Sequence, residues 1–178
     1  MPIQRAKPRL VDLDQTPLTS FSGLASSDLP AGSILQVQTA IHTSQETFNS
    51  TSWTAVSNLT INLTCSSTSN KVLILINLQG YKNNNTDGSA MYTGVYAGAH
   101  RILTNHGYYM RGAADTGSYG TVSNSFLYSP SSTSQITYSV YARSGDGSNY
   151  ILNATNSGGA ANSNDSTSST LTVMEVKG

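Results

Sequence analysis

The sequence predicts an all-β domain, an antiparallel sandwich of jelly-roll type behind an extended N-terminal arm. Three observations predict it. Short segments alternate apolar and polar residues, as in Leu59-Thr60-Ile61-Asn62-Leu63 and Ile136-Thr137-Tyr138-Ser139-Val140. Long runs of Ser, Thr, Asn and Gly separate these segments. No stretch carries a convincing helical period. Short strands between turn-rich loops suit a sandwich, with closure into a barrel as the alternative.

Residues 1–30 differ from the rest and are read as one extended arm, with residues 31–178 as the β domain. The arm holds Pro2, Pro8, Pro17 and Pro30, which leaves only Pro130 elsewhere. Proline at this density removes backbone donors and disfavours helix. A weak amphipathic turn around Leu18 to Ala25 is the one local exception. Such a segment orders against a partner, or is a plain disordered terminus.

Strands begin after Pro30-Ala31-Gly32. From Ser33 to His42, Leu35, Val37, Thr39 and Ile41 share one face and Gln36, Gln38 and Ala40 the other, which reads as a half-buried strand. A short strand is expected around Trp53, then Leu59 to Cys65. Val72 to Ile76 is apolar on both faces, so it belongs at the centre, covered on both sides. In an antiparallel sandwich the second cover comes from an arm or a neighbouring subunit. Met91 to Tyr96, His100 to Leu103, Thr121 to Tyr128, Ile136 to Arg143 and Thr170 to Val176 complete the main set. Ser144-Gly145-Asp146-Gly147-Ser148 reads as a tight hairpin turn that pairs Tyr150 to Asn153 with the preceding strand. Gly80 to Ala90, Asn105 to Gly120 and Ala154 to Ser169 are loops by composition, long enough to be functional or packed at an interface.

The chain has 178 residues, of which 37% are apolar and only 10% charged, with a formal net charge of zero. That length supports one sizeable core. The neutral balance argues against nucleic acid as a partner, and no run is long enough to insert in a membrane. Met1 to Leu10 carries Arg5, Lys7 and Arg9 with no apolar stretch after them, so no secretory signal is expected. The asparagine-X-Ser/Thr triplets at Asn49, Asn58, Asn62, Asn84, Asn153 and Asn164 are then expected to be unmodified. The lone Cys65 is in phase with Leu59, Ile61 and Leu63 and reads as a small buried hydrophobe. A fold without disulfides suits assembly in a reducing cytoplasm.

No catalytic constellation stands out, so the chain is not expected to be an enzyme. His42, His100 and His106 match no metal spacing. Glycoside hydrolysis needs opposed carboxylates, and the glutamates are only Glu46 and Glu175. Asp146 sits in a Gly-flanked turn, and no nucleophile elbow or phosphate-binding glycine pattern occurs. Neither a metal nor a cofactor is expected. Recognition is better supported. Tyrosines in a Ser/Gly/Asn context make adaptable contact surfaces, because the phenol is large, rigid and half apolar. Tyr81, Tyr108, Tyr109 and Tyr119 fall in the long loops and are the candidate ligand or subunit contacts, whereas Tyr138 is in phase with the core. Trp53 reads as a core or interface anchor rather than a ligand platform.

Short segments resemble one family in order along the chain. They are Leu29-Pro30-Ala31-Gly32-Ser33-Ile34-Leu35-Gln36-Val37-Gln38; Ser66 to Ile74, a Ser-rich turn followed by Lys71-Val72-Leu73; Tyr128-Ser129-Pro130 to Tyr138; and Ser169-Thr170-Leu171-Thr172-Val173-Met174-Glu175-Val176. Together they resemble small fibre-type domains of tailed phages, common in marine and cyanobacterial phages. The family has Asp where this chain has Tyr128. The resemblance implies a virion protein, assembled in the host cytoplasm. It also implies a homotrimer in a tail fibre, head fibre or capsid-attached knob, with no catalytic residue. It makes the arm, including Arg5, Lys7, Arg9 and Leu10, the anchor to other virion proteins of capsid, portal or tail. Thirty extended residues reach about 100 Å. Two roles follow: contact with a host surface glycan, or capsid decoration with no receptor.

Overall fold

The computed structural model describes residues 28–82, 90–106, 118–154 and 167–178. Its elements are β1 (Ile34–His42), β2 (Glu46–Phe48), β3 (Thr54–Leu63), β4 (Lys71–Lys82), β5 (Met91–Ala97), β6 (His100–His106), β7 (Ser118–Tyr128), β8 (Ile136–Ser144), β9 (Tyr150–Leu152) and β10 (Ser169–Val176). All belong to the body Ala31–Gly178. The arm residues Arg5, Lys7, Arg9 and Leu10 lie outside the described residues.

Two antiparallel sheets form a sandwich. The first runs β1-β10-β4, with β7 on the other edge of β4; the second runs β3-β8-β5-β6. Setting aside the two short strands, the orders 1-10-4-7 and 3-8-5-6 are those of an eight-stranded jelly roll. The short strands lengthen the first sheet. β9 pairs with the far end of β4 at Gly80 to Lys82, beyond the reach of β10, and β2 pairs with β9.

The core follows from period-two alternation. Val72, Ile74, Ile76 and Leu78 of β4 and Leu171 and Val173 of β10 face Leu59, Ile61 and Leu63 of β3 and Val140 and Ala142 of β8. Each fully buried Leu or Ile contributes about 1.5–3 kcal/mol. Cys65 and Tyr138 are buried, as expected. Burial, with Cys65 and Tyr128 nearby, pushes the Tyr138 phenol well above its usual value. Tyr128, where the resembled family has Asp, packs edge-on against Tyr138 with centroids 6.3 Å apart. An aromatic here extends the core under the end of β7.

Four local expectations change. The Gly145–Gly147 turn does not make a hairpin. β8 lies in the second sheet and β9 in the first, so the turn carries the chain across the sandwich. Its shape is held by side chains: Gly147 N donates to Ser144 Oγ (2.9 Å) and Ser148 N to Asp146 Oδ1 (3.0 Å). β4 and β7 run further than expected, because their mutual pairing continues to Tyr81↔Tyr119 and Lys82↔Ser118. β2 has no alternation of its own and exists through its pairing with β9.

The fourth change concerns β1. Its apolar face is the outward one: Val37 is 53% and Ile41 56% exposed, while His42 is buried. Gln36, Ala40 and His42 turn inward instead, and Gln36 finds acceptors there. Gln36 Nε2 donates to Glu175 Oε2 (2.6 Å) and to the Thr64 carbonyl (2.8 Å). His42 Nε2 lies 3.3 Å from Glu46 Oε2, near enough for an ion pair though outside hydrogen-bond geometry.

Candidate functional site

The outward face of the first sheet carries a row of apolar side chains. The register aligns Val37 with Met174, Met174 with Leu73, and Leu73 with Leu127, across β1, β10, β4 and β7. Val37 and Leu127 are exposed, and Met174 and Leu73 half-buried. One step along, Thr39, Thr172, Leu75 and Ser125 form the next row, where the hydroxyls of Thr39 and Thr172 are 3.0 Å apart. Beyond it come Ile41, Thr170, Asn77 and Ser123, so the face grades from apolar to polar. A shallow groove opens among Leu75, Asn77, Ser125 and Thr172. Val72 to Ile76 is thus apolar on both sides, as its sequence implies, and its second side has no cover from the sandwich.

A buried carboxylate fixes β1 in this register. Glu175 is 1% exposed. It accepts hydrogen bonds from Gln36 Nε2, Asn70 Nδ2 (2.6 Å), Ser66 N (2.6 Å) and Ser66 Oγ (2.8 Å). Burial raises its pKa, and the bonds from Gln36, Asn70 and Ser66 outweigh that, holding it below its ordinary value. Gly178 N donates to Asn70 Oδ1 (3.1 Å), which draws the end of the chain into the same node. At the opposite end of β10, Asn153 closes the gap where β9 takes over. Its Nδ2 donates to the carbonyls of His42 (2.8 Å) and Ser44 (3.0 Å), and its Oδ1 accepts from Ser169 Oγ (2.8 Å).

The outward face of the second sheet is different. Tyr92, Gly94 and Tyr96 alternate along β5 against the buried Met91, Thr93, Val95 and Ala97. On β8, Tyr141 pairs with Gly94 and Arg143 with Tyr92, while Arg101 of β6 pairs with Tyr96. Trp53, just before β3, reaches across to Gly94. A Cβ on that glycine would lie 3.2 Å from Trp53 Cζ3 and 3.3 Å from Arg101 Cδ. Trp53 meets Tyr96 edge-on at 6.4 Å, and Tyr96 lies tilted against Tyr141 at 4.3 Å. The guanidiniums of Arg101 and Arg143 sit 5.1 Å and 5.3 Å from the Trp53 ring centre, and Arg143 also lies 4.4 Å from that of Tyr92. Below this cluster the face turns to hydroxyls and amides. Thr60 and Ser139 oxygens are 3.1 Å apart, and Thr137 Oγ1 donates to Asn62 Oδ1 (2.7 Å).

The tyrosines singled out in the sequence are placed otherwise. Tyr81 and Tyr119 are not loop residues but facing partners on β4 and β7; Tyr108 and Tyr109 lie outside the described residues. Trp53 is an anchor on a surface cluster rather than in the core. Tyr92, Tyr96, Tyr141, Arg101 and Arg143 were not anticipated. The local signal for them is present: tyrosines at Tyr92 and Tyr96 flank a glycine on the phase opposite to Val95. Among the described residues no three of His, Cys, Asp and Glu gather as a metal site.

No protein-family model matches the chain. No curated protein matches it either. Among solved structures it is similar to a chain of the infectious bursal disease virus Gx strain, with 9% identity, a TM-score of 0.40, and coverage of 79% of this chain and 38% of that one. It is also similar to VP2 in the crystal structure of the infectious bursal disease virus VP2 subviral particle. There the identity is 9% and the TM-score 0.37, with coverage of 82% of this chain and 42% of that one. The chain therefore spans about two fifths of the length of either solved chain.

Proposed function

We propose that this chain is a structural protein of a virion: a homotrimeric fibre or knob of tailed-phage type, held to the particle by residues 1–30 and presenting its sandwich to the host surface. The observation that carries this reading is the uncovered apolar row Val37–Met174–Leu73–Leu127. Exposed aliphatic residues aligned across four strands are the mark of a surface that meets another protein. A second copy of the chain fits it best, since the face is uncharged along that row and a symmetric assembly covers the excess apolar surface without any other partner. The four segments that resemble phage fibre domains support the same assignment. The aromatic face of the second sheet, left outward in such an assembly, supports host contact.

Sedimentation of the purified chain at micromolar concentration tests the assembly, with a trimer expected and a monomer counting against it. Imaging of particles carrying a tag at Gly178 tests the place. Density at a fibre or tail tip agrees with host attachment. Density spread over the capsid replaces it with decoration, in which the protein stabilises the shell and meets no receptor.

A further inference from the structure

We propose that the outward face of the second sheet binds an acidic saccharide, with Arg101 and Arg143 taking the acid group and the Trp53–Tyr96–Tyr141 cluster taking the sugar rings. The inference deepens the host-contact part of the reading above and rests on it for where the ligand is met.

Charge is the first argument. Arg101 and Arg143 are both held within 5.3 Å of one indole centre, so two like charges are neighbours. Among the described residues neither forms an ion pair with a carboxylate. Arg143 Nη1 donates to the Thr51 carbonyl (3.2 Å), and its Nε is buried with no partner. The rings stabilise each cation without cancelling its charge. A planar guanidinium with donors to spare matches carboxylate, sulfate or phosphate oxygens in a fork.

The surroundings decide what carries that acid. Aromatic rings give the flat apolar contact that sugar C–H faces need. The hydroxyl and amide ladder of Thr60, Ser139, Thr137 and Asn62 continues the same face with groups that both donate and accept. The register sets Arg101, Tyr96, Ser139 and Thr60 side by side across the four strands, so cation, ring and hydroxyls form one line. A single-stranded nucleic acid also likes rings and arginines, but it needs a basic track along its backbone, and this chain has a formal net charge of zero.

The test is binding of the full chain to an array of carboxylated, sulfated, phosphorylated and neutral glycans, with a single-stranded oligonucleotide as competitor. Retention confined to acidic glycans is expected, with which acid they bear separating the sources of the anion. Arg101→Gln should weaken it by roughly tenfold or more, and Arg143→Gln likewise. Arg101 is solvent-exposed, so its variant keeps the fold and reads the site even where Arg143→Gln melts early. No acidic glycan retained, equal retention of neutral glycans, binding that survives Arg101→Gln, or equal competition by the oligonucleotide each overturns the proposal. A trimer found on the particle that retains no acidic glycan overturns this proposal alone. A monomer absent from the particle that still binds overturns the reading above and leaves this one.

Discussion

The two outward faces of one sandwich sit at equivalent places in the fold, and both break the rule that such faces are polar. They break it in different ways. The first sheet offers Val, Leu and Met in a row, the second Trp, Tyr and Arg around a glycine. Aliphatic surface is non-directional and gains only from a large dry partner. Rings and guanidiniums are planar and directional, and suit a small ligand with defined polar groups. On the reading proposed above, the difference would let one fold separate assembly from recognition by giving each its own sheet.

The strongest way to break the comparison is from behind the apolar face. Glu175 holds β1 on β10 through donors from Gln36, Asn70 and Ser66. Glu175→Ala removes the acceptor shared by the buried Asn70 amide, the half-buried Gln36 amide, and Ser66, and stability should fall by about 3 kcal/mol in denaturant titration. Acid should act in the same direction. The Glu175 pKa is lowered in the folded chain, so its contribution is full above the ordinary glutamate value and is lost as pH falls through the lower folded value. Amide protection factors in β1 and β10 should therefore fall at low pH before those of β5 and β8. An equal fall in both sheets would remove Glu175 as the device that separates them.

Next in size is the apolar row itself. Val37→Lys together with Leu127→Lys places two charges where a second copy should pack. Self-association should weaken by about a hundredfold, near 2.7 kcal/mol. Both sites are about half exposed, so the stability of the isolated fold should change by only about 0.5 kcal/mol. Sedimentation and melting together check this. An unchanged trimer would mean that the copies meet elsewhere, and the row would lose its role.

How far these faces were legible in the sequence differs with the kind of signal. The run Val72 to Ile76 declares by itself that both its sides are apolar, and the structure covers only one of them. For β1, period two gives the two faces without saying which points inward. That choice rests on Glu175 and Glu46, partners that no local pattern names. The second face was half visible. Tyr141 and Arg143 alternate against Val140 and Ala142, but that Trp53 crosses from another strand to join them is a fact of packing. Loop composition drew attention to Tyr81 and Tyr119, which the extended β4–β7 pairing takes up instead.

Removing the anchor of the second face should have a middling effect. Trp53 is half-buried and touches Tyr96 and both arginines. Trp53→Ala should lower stability by about 2 kcal/mol, less than for a fully buried ring. It should also loosen Arg101 and Arg143, so acidic-glycan retention falls while the oligomer persists. If the oligomer dissociated as well, the two faces would not be independent.

The smallest effect is expected at Gly94, and it is the most local probe of the second sheet's outward face. The glycine has no unusual backbone conformation to maintain, so any effect of adding a methyl comes from space alone. That space is occupied: a Cβ there would meet Trp53 Cζ3 at 3.2 Å, Arg101 Cδ at 3.3 Å and the Leu103 carbonyl oxygen at 3.3 Å. The carbonyl belongs to the paired strand and cannot retreat, whereas the indole and the arginine stem can. Gly94→Ala should therefore lift Trp53 and Arg101 off the sheet at a cost of about 1 kcal/mol. Tryptophan fluorescence should shift to the red as the ring gains water, with the sedimentation of the protein unchanged. A shift without any loss of acidic-glycan retention would make Trp53 a lid on the sheet and leave ring contact to Tyr96 and Tyr141.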